Sequence, residues 1–95
     1  LKESAQIAFL TTLEGAKDVE ETAGAIAKNM TYAAIRGGEF SKERMFEISK
    51  NIISAAGNLA NEGHIFAKEL IKGAINGTRD GILRAIEKLN LLQMS

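Results

Sequence analysis

From Phe9 onward, apolar and small residues recur at alternating steps of three and four: Phe9, Thr12, Ala16, Val19, Ala23, Ile26, Met30, Ala33 and Gly37. This is the spacing of a helix packed along a narrow, coiled-coil-like seam. Most of the seam is alanine, glycine or threonine, so it permits close helix approach while each residue contributes little hydrophobic energy. Gly37-Gly38 supplies a stop, because glycine readily takes the left-handed conformation that ends helices. The restart is marked by Ser41 as N-cap, with Phe40 and Met45 at the N′ and N4 positions of a hydrophobic staple. The pattern therefore predicts two long helices, about 3–36 and about 42–76. Each is about 50 Å long, and the short linker makes them an antiparallel hairpin.

The second helix changes rhythm. Met45, Ile48, Ile52, Ala55 and Leu59 keep the heptad, but the next heptad place is Glu62. The apolar row avoids the acid by stepping four, to Gly63, and continues through Phe66, Leu70, Gly73 and Gly77. Such a step turns a seven-residue repeat locally into an eleven-residue one. Read in elevens, Ile48, Leu59, Leu70, Gly81 and Leu92 share a column, and AK at 16–17, AK at 27–28 and SK at 49–50 echo the same period. A second row lies alongside: Ile53, Ala56, Ala60, Ala67, Ile71, Ala74, Thr78, Ile82, Ala85 and Leu89. Two rows make one wide apolar face, which packs against two neighbours rather than one.

Gly73, Gly77 and Gly81 stand four residues apart, although each glycine inside a helix costs about 1 kcal/mol relative to alanine. Asn76-Gly77 reads as a stop and Thr78 with Asp80 as a restart, which predicts a corner and a shorter C-terminal helix over about 79–93. The rival reading is one continuous helix over 42–93 whose small-xxx-small face seats another backbone. Three glycines on one face exceed the needs of a corner, so close packing through Gly73 or Gly81 is expected on either reading. The apolar end LNLLQMS, with Leu89 and Leu92, closes the bundle or meets another chain.

Composition narrows the function classes. Lys+Arg and Asp+Glu number 12 each, and no basic excess of the kind a duplex-binding domain shows is present. With no proline and no alternating strand pattern, the chain reads as all-α, a single helical-bundle domain over 1–95. Cysteine is absent, which removes disulfides and thiolate metal sites and is compatible with a cytoplasmic setting. No apolar run approaches the ~20 residues of a transmembrane helix. The chain begins at Leu1, and LKESAQIAFLTT lacks the layout of a signal peptide.

Chemistry-bearing groups are sparse. His64, the one histidine, has no Glu-x-x-His or His-Glu-x-x-His partner and reads as a flanking, half-buried residue. Glu14, Asp18 and Glu21, with Glu20 beside them, read as a solvated acidic face, and so do Glu43 and Glu47. Asp80 and Arg84 are spaced for a surface ion pair. No nucleophile elbow or phosphate loop is present, and Tyr32 is the only tyrosine beside no tryptophan. The chain is read as non-enzymatic, without cofactor or metal.

The eleven-residue, Ala/Gly-rich periodicity with interspersed Lys and Glu resembles that of exchangeable apolipoproteins, synucleins and bacterial phasins. The composition is also similar to that of uncharacterised bacterial helical proteins. The first likeness implies an amphipathic helix laid on a lipid or polymer-granule surface. The residues themselves favour a self-associating assembly module, a homo-oligomer or receiver of a partner helix, with Gly73, Gly77, Gly81, Leu89 and Leu92 as the contact residues.

Overall fold

The computed structural model describes residues 1–15, 17–62 and 66–94; the side chains of residues 12, 13 and 90–94 lie outside the description. Its regular elements are four helices: α1 (Lys2–Leu13), α2 (Val19–Arg36), α3 (Lys42–Asn61) and α4 (Ala67–Met94). They fill an elongated body of 46 × 23 × 18 Å, and α4, with 28 residues, runs nearly its full length. The most extensive pair is α2 with α4; α3 packs beside both, and α1 packs on α2 and α3.

The expected helix over 3–36 is two helices. Asp18 is extended, with φ −124° and ψ 101°, and its carboxylate accepts the Glu21 amide at 3.0 Å. That N-cap satisfies an amide left free by the first turn of α2. The heptad seam runs across the break because Phe9 and Val19 are both core residues, although they belong to different helices. Ala16, in the same seam, lies outside the described residues.

The expected helix over 42–76 is also divided. α3 ends at Asn61, with the Glu62 amide donating back to Asn58 and Leu59 carbonyls, and α4 begins at Ala67. The break falls at the irregular step from Leu59 past Glu62, so that step marks a connection and not a change of supercoil. Gly63 and His64 lie outside the described residues. Conversely, no corner exists at Gly77: α4 passes through it, and residues 79–93 continue the same helix.

α2 stops at Arg36, but not by a left-handed glycine. Gly37 has φ −73° and ψ 0°. The cap comes from the next helix: Arg44 of α3 donates to the Ile35 and Glu39 carbonyls, each at 2.9 Å, and to the Ala34 carbonyl. A Cβ on Gly38 would stand 2.8 Å from the Arg44 guanidinium carbon, so glycine makes room for this cation. Ser41 caps α3, accepting the Arg44 amide at 3.1 Å. Arg44→Met keeps the aliphatic bulk and loses the charged donors. It is expected to cost about 2 kcal/mol in chemical denaturation followed by circular dichroism; an unchanged midpoint would contradict the capping role.

The core is thin. Its largest fully buried side chains are Phe9, Ile35, Ile52, Leu59, Leu70 and Thr31, and alanine supplies much of the rest: Ala5, Ala23, Ala27, Ala55, Ala56, Ala74 and Ala85. Small residues contribute little area each, so close backbone approach must supply part of the cohesion through dense van der Waals contact.

Candidate functional site

The most extensive helix contact among the described residues joins α2 and α4. On α2 the buried residues Val19, Ala23, Ala27, Thr31 and Ile35 step by four. On α4 the facing row, Gly73, Gly77, Gly81 and Ala85, steps by four as well. Rows at this spacing form ridges that interdigitate when two helices pack. A Cβ on Gly73 would overlap the Glu20 carbonyl oxygen and lie 2.9 Å from the Ala23 Cβ. One on Gly77 would overlap the Gly24 carbonyl oxygen and lie 2.8 Å from the Ala27 Cβ. One on Gly81 would stand 2.7 Å from the Lys28 carbonyl oxygen and 2.8 Å from the Thr31 Cβ. Helix numbers rise together along this contact, so α2 and α4 run parallel, and α3 returns the chain between them.

The glycines are therefore required by proximity, not by backbone conformation. Two helix backbones touch with no side chain between them on the α4 side. Gly24 contributes less stringently from α2, since its Cβ would meet the Gly73 carbonyl oxygen at an ordinary 3.5 Å. The hydroxyls of Thr31 and Thr78 are buried in this region without a hydrogen-bond partner. Leu89 is half-buried beyond the glycine row and lines a cavity with Ile35 and Ala85. Leu92 belongs to the last turns of α4, and its side chain lies outside the described residues.

Because α2 occupies the glycine face, the surfaces left for another molecule lie elsewhere. On α4, Ile71, Ile75, Ile82 and Ile86 fall within about 60° of helical arc. Ile75 is 48% exposed, and the other three are partly exposed. On α3, Phe46 and Ile53 stand seven residues apart on one side; Phe46 is 67% exposed and Ile53 partly so. The second row read from the sequence is thus only half used inside the chain: Ala56, Ala74, Thr78 and Ala85 are buried, while its isoleucines are not.

The charged groups shown in pairs are largely solvated. Asp18 serves the α2 cap, and Glu20 meets Lys72 at 3.7 Å with both side chains well exposed. Such exposed pairs contribute little. Asp80 and Arg84 do not form the expected pair. Asp80 lies 3.9 Å from Arg79, and the Arg84 guanidinium stands 4.9 Å from the centre of the Tyr32 ring, which also receives Arg36 at 5.5 Å. A ring face offers a cation as much as an exposed carboxylate does, and at less cost in freedom. The i,i+4 spacing of Tyr32 and Arg36 was the available signal; Arg84 becomes visible only once α2 and α4 are aligned.

Among the described residues, no three His, Asp or Glu side chains converge to hold a metal ion, and no helix is long and apolar enough to cross a membrane. No protein-family model, curated protein or solved structure matches the chain.

Proposed function

We propose that the chain is a non-enzymatic helical assembly module that associates with a second copy of itself through the outer apolar rows of α3 and α4. The observation that carries this reading is the division of labour on α4. Its glycine row is consumed by α2, while Ile75 and Phe46 of α3 are exposed and Ile71, Ile82 and Ile86 are partly so. Exposed apolar rows on a small domain are the usual mark of a protein contact. A formal net charge of zero offers no long-range repulsion between copies.

Light scattering across a concentration range tests it. The expected mass rises from 10.2 kDa toward twice that value. Phe46→Glu with Ile75→Glu should hold the mass at the monomer value without loss of helicity, since both side chains are largely exposed. A wild-type monomer at every concentration, or a double variant that still dimerises, would overturn the reading.

A coat on a lipid or polymer-granule surface is the second reading, favoured by Ile7 and Leu10, which are exposed on α1. It would require helices to lay apolar faces on an interface. Co-sedimentation with neutral and anionic vesicles separates the two: the coat predicts binding and the assembly module none.

A further inference from the structure

The end of the bundle where α2 gives way to α3 contains a cavity of about 290 Å³. Buried Ile35 and Ala85, half-buried Leu89 and the aromatic Tyr32 and Phe40 line it. Arg36 and Lys88, both exposed, line it as well. Arg84, outside the cavity lining, is a third cation nearby, 4.9 Å from the Tyr32 ring centre. Among the described residues, none of these three cations has a carboxylate within ion-pair distance. The pairs that do form join Lys72 to Glu20 and Arg79 to Asp80, further along the helices. Arg84 and Lys88 both line a neighbouring groove that holds Asp80 and Glu87, and of the three cations Arg36 and Lys88 line the cavity itself.

An apolar lining beside cations that lack a carboxylate partner is complementary to one chemistry. A hydrocarbon body on Ile35, Ala85 and Leu89 leaves water, while its anionic head accepts charge-assisted hydrogen bonds from Arg36 and Lys88. The volume lies at the small end of ligand pockets, which admits a short chain or one ring and not a long-chain lipid. We propose that this cavity binds a small anionic amphiphile, with one carboxylate or phosphate head on a short hydrocarbon body.

Tyr32 makes the test direct. It is the only tyrosine in a chain without tryptophan, so intrinsic fluorescence reports on the cavity wall alone. Octanoate and hexyl phosphate, titrated below their micellar range, should each change that fluorescence saturably with one-to-one stoichiometry. Octanol should bind at least about tenfold more weakly, and inorganic phosphate should give no response. Arg36→Gln with Lys88→Gln should weaken octanoate by about tenfold or more, a loss of about 1.4 kcal/mol. The helicity should be unchanged, because both cations project from the surface. No saturable change with either amphiphile, equal binding of octanol, a phosphate response equal to that of octanoate, or an undiminished response in the double variant would each overturn the proposal.

Discussion

Gly77→Ala is expected to destabilise the protein by about 2–3 kcal/mol, and Gly77→Leu to separate α4 from α2 and abolish cooperative folding. On propensity alone the alanine would stabilise a helix by about 1 kcal/mol. Packing decides the sign. The new methyl would overlap the Gly24 carbonyl oxygen and stand 2.8 Å from the Ala27 Cβ. A backbone carbonyl inside a helix cannot rotate aside as a flexible side chain can, so the helices must move apart. Overpacking of this kind costs about 1–3 kcal/mol and sometimes more. The shift would also weaken the contacts of Gly73 and Gly81 on either side, because one rigid helix carries all three. Gly57→Ala is the matched comparison. A Cβ there meets nothing within 4 Å, so the same substitution should stabilise by about 0.5–1 kcal/mol. Denaturant midpoints of the two variants should lie on opposite sides of the wild type. Both on the same side would refute the packing argument.

Phe9→Ala is expected to cost about 3–5 kcal/mol and to release α1 from the bundle. Ala5 and Phe9 are the buried hydrophobic residues of α1 among those described, while Ile7 is 65% exposed and Leu10 is exposed as well. The helix has no N-terminal side-chain cap, its last turn carries no basic residue, and it is only 12 residues long. A helix of that length is marginal in water by itself, so its docking depends on the one large side chain that enters the core. Hydrogen exchange should show α1 amides losing protection while α2 and α4 keep theirs. Uniform loss across all four helices would show instead that Phe9 supports the whole core.

The boundaries that were legible in the sequence had a chemical marker. Ser41 capped a helix as its position implied, and Gly37-Gly38 ended one, although by way of Arg44 and not through a left-handed turn. Asp18 with Glu20 and Glu21 carried an equally good start signal, but the three-four seam passes smoothly across it. Periodicity reports which residues face the core, and two helices sharing a core can keep one rhythm across a bend. The reverse happened at Asn76-Gly77, where a turn-forming pair sits inside a helix because α2 lies too close for any side chain. Spacing by four revealed that a backbone would sit on those glycines. It could not reveal that the backbone belongs to residues 20–31 of the same chain, since that pairing depends on α3 returning the chain to bring α2 and α4 parallel. The approach of Arg84 to Tyr32 was hidden for the same reason.

The glycine row is an intrachain contact, and the outer rows of α3 and α4 form the proposed interchain one. Isotope-filtered nuclear Overhauser spectroscopy on an equal mixture of labelled and unlabelled protein, at a concentration where association is complete, tests both at once. Intermolecular cross-peaks should involve Phe46 and Ile75, and the Gly77 to Ala27 cross-peak should appear only within a chain. An intermolecular peak between Gly77 and Ala27, or no intermolecular peak at all, would contradict the account.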